Sequence, residues 1–263
     1  MNISLKNKNA LVCGSTQGIG KAVALELALL GANVTLIARN EMRLLEAKSQ
    51  LDTSQEQEHN HIVADFSSPE TLKNALDNNL HFNKKQIHIL VNNTGGPPAG
   101  KAIEADIEDF LTAFNLHLIS NQILVQSVVN GMKNAKYGRI INIISTSVKQ
   151  PLKNLGVSNT IRGAVASWAK TLSVELAPFG ITVNNVLPGA TQTGRLTTIL
   201  ENKATKTNVS LEDATAEMLA EIPAGRFAQA EEIANAVAFL ASESAGYING
   251  INLPVDGGRL SCL

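Results

Sequence analysis

Short apolar runs alternate with longer segments in which apolar residues recur at helical spacing, from one end of the chain to the other. Several of the runs are apolar almost throughout, which is typical of strands covered on both faces. The predicted strands are Ala10–Cys13, Asn33–Ala38, His61–Ala64, Ile87–Asn92, Arg139–Ile144, Thr182–Leu187 and Ile251–Val255. The predicted helices are Gly18–Leu30, Glu41–Leu51, Pro69–Asn78, Asp106–Lys133, Val157–Leu176 and Ala230–Ala241. This alternation predicts an α/β fold with a parallel, doubly wound sheet and right-handed crossovers.

One segment, about 189–226, is too long to be a simple connection. Its interior, SLEDATAEMLAEI, predicts a helix that begins at Ser210 and carries acidic residues in its first turns. Because the segment follows the sixth strand, it would lie at the carboxyl edge of the sheet, where such folds bind ligands. We therefore expect residues 1–263 to form a single dinucleotide-binding domain whose segment 189–226 is a substrate lid.

A glycine-rich turn, CGSTQGIGK, leads from the first strand into the first helix. Gly14, Gly18 and Gly20 would let the backbone approach a pyrophosphate, to which the helix N-terminus offers free N–H groups. The spacing is G-x-x-x-G-x-G, and an ordinary tight turn is the alternative interpretation. The strand before the turn and the helix after it favour dinucleotide binding.

The ends of the second and third strands carry charged residues that bear on the choice of cofactor. Arg39 stands where an NAD site normally has an acidic residue for the ribose 2′-hydroxyl, and an arginine suits a 2′-phosphate instead. The sequence thus favours NADP(H), with NAD(H) as the second choice, unless Arg39 is only a solvated residue at a helix start. Asp65 could accept from the adenine amino group or cap the turn at Ser67–Ser68.

Composition excludes several classes of protein. The chain has 263 residues, 44% of them hydrophobic, and 22 basic residues against 23 acidic ones, without a basic cluster. We therefore expect no nucleic-acid partner and no membrane association. The N-terminus has no apolar signal region, and the only cysteines are Cys13 and Cys262, which indicates reduced thiols and a cytoplasmic location. The five histidines have no metal-ligand spacing, so no metal is expected.

Five motifs occur in an order that resembles a known family: GSTQGIG, NNTG at Asn92–Gly95, RIINIIS at Arg139–Ser145, VLPGATQT at Val186–Thr193 and VDGG at Val255–Gly258. Together they resemble the short-chain dehydrogenase/reductase family, and within it the β-ketoacyl-acyl-carrier-protein-reductase-like branch. The resemblance implies a Rossmann-type doubly wound sheet of seven parallel strands with helices on both faces, a small-molecule or acyl-carrier-bound carbonyl substrate, and a homotetramer or homodimer. The cofactor contacts it implies are Gly14, Ser15, Gly18, Ile19, Gly20, Asn93, Gly95, Arg162, Pro188, Gly189 and Thr193.

The same resemblance locates the catalytic positions, and most of them are substituted. Ser145 matches the serine that holds the substrate oxygen. The family's tyrosine, thirteen residues later, falls on Ser158, and its lysine, four residues beyond, falls on Arg162. The family's helical asparagine falls on His117. Of the usual four catalytic residues, only the serine is retained.

The substituted residues can still do part of the work. Ser158 has no accessible ionisation, and Arg162 remains cationic, so it would stabilise a developing alkoxide and grip ribose hydroxyls without giving up a proton. His117 has an ordinary pKa near 6.5, in the range that suits a general acid. We hypothesise that His117 protonates the reduced carbonyl through a water beside Ser158. The alternative is a packed helix histidine.

Two functions remain open at this point. The first is an NADP(H)-dependent oxidoreductase that reduces a carbonyl, with a 3-oxoacyl group as one candidate, by hydride transfer with an atypical proton donor. The second is a catalytically impaired NADP(H)-binding scaffold or regulatory subunit. The glycine turn, Arg39 and Ser145 fit both; the substitutions at Ser158 and Arg162 favour the second, and the retained Ser145 with the intact segment 189–226 favours the first.

Overall fold

The computed structural model of the chain describes residues 1–81 and 86–262 and contains a seven-stranded parallel sheet. The strands are β1 Asn9–Cys13, β2 Asn33–Ala38, β3 Asn60–Val63, β4 Ile89–Asn92, β5 Gly138–Ile143, β6 Ile181–Pro188 and β7 Asn252–Val255. Their order across the sheet is β3-β2-β1-β4-β5-β6-β7. The order reverses between β1 and β4, which creates a crevice at the carboxyl ends of these strands. The predicted doubly wound parallel sheet is confirmed.

Helices cover both faces of this sheet. They are α1 Gly18–Leu29, α2 Glu41–Lys48, α3 Pro69–Leu76, α4 Ile107–Phe114, α5 Ser120–Ala135, α6 Gly156–Leu176, α7 Gly194–Thr207, α8 Leu211–Ala220 and α9 Ala230–Ala241. Side chains of α1, α2 and α9 form one apolar core with the sheet, and those of α3, α5 and α6 form another. Strands enclosed in this way have no polar face, which is why β5 is buried at every position.

The helix predicted over Asp106–Lys133 is wrong in one respect, because a π-helical turn at Asn115–Ile119 separates α4 from α5. A π-turn holds one more residue than an α-turn, so it shifts the side chains that follow to a new face. His117 lies within this turn and is buried. A periodicity of 3.6 residues carries no sign of such an insertion, which is why the sequence predicted one continuous helix.

The segment 189–226 contains two helices, of which the sequence predicted one. Ser210 caps α8 by accepting a hydrogen bond from the backbone N–H of Asp213, as expected. The other helix, α7, is largely polar, so its apolar periodicity was too weak to predict a helix. Leu196, Leu200 and Ile222 of this segment form a small apolar cluster with Phe227, which directly follows it. Its role as a substrate lid stays a prediction.

Within the described residues, every helix is too short or too polar to cross a bilayer. Gly31 and Gly180 follow the ends of α1 and α6, and they adopt φ angles of 97° and 73°. These values lie in the left-handed region that glycine tolerates best. Both cysteines are free thiols, Cys13 buried and Cys262 exposed.

Candidate active site

The glycine turn forms a cradle that is packed too closely to accept side chains at Gly14 and Gly20. A methyl group on Gly14 would lie 2.6 Å from the backbone oxygen of Asn93, and one on Gly20 would collide with the carbonyl oxygen of Gly14. Asn93 fixes the turn, since its Nδ2 donates to the carbonyl oxygens of Cys13 (3.3 Å) and Gly14 (3.2 Å). No side chain caps the N-terminus of α1 at Gln17. Bare backbone and free helix N–H groups suit a phosphate, so the cradle fits a dinucleotide.

The other residues predicted at the cradle lie around this turn in different ways. The Ser15 side chain is fully buried and its Oγ donates to the Ile37 carbonyl at 3.4 Å, so it offers a ligand only its backbone. Ile19 is half-buried and packs against the core. Thr193 reaches the turn from the far side, because its Cγ2 lies 3.3 Å from the place a methyl group on Gly18 would take.

At the end of β2, the Arg39 side chain is 75% exposed and lies 4.0 Å from a carboxylate oxygen of Asp65. Asp65 accepts hydrogen bonds from the backbone N–H (2.9 Å) and hydroxyl (2.7 Å) of Ser67, which supports the turn-capping interpretation. Partial burial acts to raise the pKa of Asp65, yet these two bonds and the nearby Arg39 lower it below its ordinary value. The Asp65 carboxylate therefore holds Arg39 only loosely, and the guanidinium is available to an anion.

Ser145 and Arg162 meet at the carboxyl end of β5. The Ser145 Oγ accepts a hydrogen bond from the Ser147 backbone N–H at 3.1 Å, so its own hydroxyl hydrogen is left to donate elsewhere. Arg162 extends from α6 and its Nη1 donates to the Ile143 carbonyl at 3.0 Å. Ser158 lies one turn earlier on α6 and is partly exposed. The structure thus brings the predicted serine and arginine to one strand end.

Arg162 is an unusual cation because its side chain is buried, with 8% of its surface exposed. Its Nε has no hydrogen-bond partner among the described residues. Burial, and after it the positive charge of Arg195, lower the pKa of Arg162 to about 10. The group still carries its charge at neutral pH, so it supplies a fixed positive field at the site.

His117 does not have the ordinary titration that the sequence suggested. Its ring is 2% exposed, and Nδ1 lies 2.6 Å from the hydroxyl of Thr94. Burial, and after it the charge of Arg162, lower the pKa of His117 to about 2. The ring is therefore neutral at working pH, and its Nε2 has no partner among the described residues. This environment excludes a charged imidazolium that would act as the proton donor. It still allows a neutral imidazole that receives a proton on one nitrogen and releases one from the other.

The loop after β6 closes the site from the other side. Pro188 ends β6, and Gly189 follows at a close approach, since a methyl group there would lie 2.7 Å from the Cα of Asp256 in the VDGG motif. Gly95 follows Asn93 at the end of β4. The predicted cofactor residues thus lie along the carboxyl edge of the sheet, from the cradle at β1 to the β6 loop.

Two residues that sequence reasoning did not select belong to the same region. Thr94 is the partner of His117. Arg195, in the first turn of α7, donates through Nη2 to the Pro97 carbonyl at 2.8 Å. The sequence could have indicated Arg195 only through its position two residues after Thr193, because the helix that carries Arg195 was not predicted.

A row of four asparagines, three of them buried, crosses strands β4 to β7 and was also missed. Asn92 donates to Asn142, Asn142 to Asn185, and Asn185 to Asn252, each from Nδ2 to Oδ1 at 2.8 Å. The four stand on neighbouring strands, β4 to β7, at paired positions. We call this row the asparagine ladder. Its members are far apart in sequence, and only the strand register brings them together.

The chain's two tyrosines lie away from Ser158. The Tyr137 hydroxyl donates to the Ala241 carbonyl at 2.7 Å, and its ring makes cation–π contacts with Lys8 and Arg139 at the amino end of the sheet. Tyr247 is fully exposed. Among the described residues, no group of three or more His, Cys, Asp or Glu side chains has the geometry of a metal site.

Comparison with known proteins gives consistent matches along the chain. The family model described as Enoyl-(Acyl carrier protein) reductase matches residues 14–259. The chain is 36% identical to 3-oxoacyl-[acyl-carrier-protein] reductase FabG of Haemophilus influenzae, covering 97% of this chain and 98% of the relative. It is 29% identical to NADPH-dependent reductase BacG of Bacillus subtilis, covering 98% of this chain and all of the relative. The structure of L-sorbose reductase from Gluconobacter frateurii, complexed with NADPH and L-sorbose, superposes with a TM-score of 0.93 at 31% identity over the full length of both chains.

Proposed function

The chain belongs to the short-chain dehydrogenase/reductase family, and from this premise we propose that it is an NADP(H)-dependent oxidoreductase that reduces a carbonyl group. The observation that carries the proposal is the bare glycine cradle, aligned along one sheet edge with the Ser145 hydroxyl and the buried Arg162. A 3-oxoacyl group is one candidate substrate, suggested by the FabG relative. The named relatives are reductases, which favours an enzyme over a scaffold.

The choice of NADP(H) rests on charge. Arg39 is exposed at the end of β2 with only a loose ion pair to Asp65, which suits a 2′-phosphate. The relatives named for NADPH, BacG and L-sorbose reductase, support the same choice. We therefore assign the cradle of Gly14, Gly18 and Gly20 to the diphosphate and Arg39 to the 2′-phosphate.

When bound, NADPH supplies the hydride, and the chain's own residues orient and polarise the substrate. The Ser145 hydroxyl donates a hydrogen bond to the carbonyl oxygen. Arg162, cationic and shielded from water, stabilises the negative charge that develops on that oxygen. A fixed charge that is shielded from water does not have to reorient as the reaction proceeds. These two groups can therefore provide much of the electrostatic stabilisation of the transition state.

The proton requires a route that does not use a tyrosine. A serine side chain at position 158 stops short of the reach of a phenol and leaves room for a water. We assign proton delivery to a water beside Ser158, with His117 acting as a neutral relay that gains a proton on one ring nitrogen as it loses one from the other. Its two ring nitrogens suit this, since Nδ1 contacts Thr94 and Nε2 has no partner among the described residues.

The test is turnover of purified protein on a panel of β-ketoacyl thioesters, small ketones and oxo acids, followed by NADPH absorbance. We expect at least one carbonyl to be reduced and expect Ser145→Ala to lower kcat by about 100-fold, the scale of a lost oxyanion contact. Ser167→Ala is the matched control, because Ser167 is an exposed serine on α6 away from the site. Tight NADPH binding with no turnover on any carbonyl would instead support the scaffold function.

The proton route has its own test. His117→Asn should lower kcat and leave the NADPH dissociation constant unchanged, because His117 lies at the substrate end of the site. Equal kcat in the two proteins would refute the relay. The double change Ser158→Tyr with Arg162→Lys supplies the family's usual pair, and a gain in kcat would support an otherwise intact site.

A further inference from the structure

Two arginines converge on one small space above the cleft. Arg195 extends from α7 to the loop that follows β4, where its Nη2 donates to Pro97. A methyl group on Gly96 would lie 3.3 Å from Arg195 Nη2 and 3.9 Å from Arg162 Nη2. Both guanidinium groups therefore face the same point, one from the rim and one from the buried floor. The absence of a side chain at Gly96 keeps that point open.

No carboxylate of the described residues neutralises this pair. Neither Arg162 nor Arg195 forms an ion pair with a carboxylate among the described residues. The Arg162 side chain is more than nine-tenths buried and its Nε has no hydrogen-bond partner among those residues. Burying a charge beside a like charge is costly unless a counter-charge compensates. A bound anion would supply the missing counter-charge and so stabilise the two arginines in this arrangement.

The diphosphate of the cofactor lies elsewhere. Its cradle follows β1, whereas Arg162 is held by Ile143 on β5. The sheet order places β4 between these strands, so the two points are separated by two strand spacings, about 10 Å. Arg162 is instead held at the end of β5, two residues before Ser145, whose hydroxyl we assign to the substrate's carbonyl oxygen.

Resting on the proposed function, we propose that Arg195 and Arg162 together bind a carboxylate of the substrate, which makes this enzyme a reductase of small oxo acids. Two planar guanidinium forks match the two oxygens of a carboxylate, and charge-assisted bonds of this kind are the strong ones. The carboxylate takes the place above Gly96, and the carbonyl to be reduced reaches Ser145. Such a site favours a free acid over a neutral ketone or an acyl-carrier thioester. Because Arg195 lies on α7, the bound acid would also tie segment 189–226 to the body of the protein.

The test uses malonate as the probe and its neutral diamide, malonamide, as the matched ligand. Each is titrated by calorimetry into the NADPH complex of the wild type, of Arg195→Gln and of Lys206→Gln. Lys206 is an exposed cation at the other end of α7, so its variant removes the same charge from the same helix. Arg195 is chosen over Arg162 because its side chain is exposed and its replacement leaves the core intact.

We expect malonate to bind and malonamide not to bind. Arg195→Gln should weaken malonate binding by about 10- to 100-fold, as expected for a lost charge-assisted hydrogen bond, while Lys206→Gln leaves it unchanged. Equal binding of malonamide, equal losses in both variants, or no malonate binding would each overturn the proposal. A parallel loss of NADPH affinity in Arg195→Gln would also overturn it, since the arginine would then serve the cofactor.

A kinetic comparison adds a second readout. For an oxo acid and its amide, Arg195→Gln should reduce the preference for the acid over the amide, chiefly through KM, whereas Lys206→Gln should leave that preference unchanged. If neither the wild type nor any variant binds NADPH, the proposed function fails. Titration of malonate into the cofactor-free protein then still tests whether the arginine pair binds a carboxylate.

Discussion

His117 allows a quantitative prediction, because burial and the charge of Arg162 lower its pKa far below the ordinary value. The fall from 6.5 to about 2 means that the native state resists protonation of this ring. A pKa difference of this size corresponds to about 6 kcal/mol against the charged form in the folded protein. The unfolded chain, in contrast, takes up a proton on this histidine as soon as the pH falls below 6.5.

The sign of the effect follows from this difference in proton uptake. Because the folded-state pKa is lower than the unfolded value, the contribution of His117 is fully present above pH 6.5 and is lost progressively as the pH falls from 6.5 toward 2. Between pH ~7.5 and pH ~5, this one group should lower the free energy of unfolding by about 2 kcal/mol. Only at the acidic end of that range does the unfolded state bind close to one more proton than the native state does.

The perturbation is His117→Asn, which removes the titrating ring and leaves a polar side chain opposite Thr94. Urea unfolding at a series of pH values gives the free energy of unfolding for both proteins. We expect the variant to be less stable by a constant amount at neutral pH and to lose about 2 kcal/mol less than the wild type on acidification. His117→Gln should behave in the same way as His117→Asn. Parallel curves for wild type and variant across the whole acidic range would refute the buried, neutral ring.

Three further predictions test the cradle, the cofactor choice and the asparagine ladder. Gly20→Ala should weaken NADPH binding by at least ~10-fold because its methyl group displaces Gly14. Gly163→Ala is the control, because its methyl group enters open space and should leave NADPH binding unchanged. Equal NADPH dissociation constants for Gly20→Ala and the wild type, measured by fluorescence, would contradict this prediction. Arg39→Gln should lower the preference for NADPH over NADH by about 10- to 100-fold, and an unchanged ratio of kcat/KM for the two coenzymes would exclude its assignment. Asn142→Leu leaves the Asn92 Nδ2 without its acceptor and the Asn185 Oδ1 without its donor. It should therefore lower the free energy of unfolding by about 2–5 kcal/mol, and a loss within the error of urea titration would contradict the ladder.

The sheet was predictable because its strands are short, mostly apolar runs that are separated by helices with clear ends. β5 illustrates this, since its six residues are buried in the structure and its run was apparent in the sequence. The cofactor end of the site was equally accessible, because the glycine turn is contiguous in the chain. Local patterns of this kind need no knowledge of the tertiary structure.

What the sequence could not provide depends on long-range contact. The π-turn at Asn115–Ile119 is invisible to helical periodicity, and it buries His117, so the ring's pKa could not be foreseen. The helix that carries Arg195 has a polar pattern, and the approach of Arg195 to Arg162 exists only once α7 packs over the cleft. Charge and burial at the substrate end are therefore properties of the fold.

The asparagine ladder has a consequence for how the sheet chooses its alignment. Strands composed of valine, isoleucine and leucine pack almost equally well when one slides by two residues, since the same faces remain apolar. The amides remove this degeneracy, because a slide of β5 past β6 would separate Asn142 from Asn185 and strand both in a dry interior. The asparagine ladder thus specifies a single register of the strands. That register in turn fixes the relative positions of the residues at the carboxyl ends of the strands, which line the cleft.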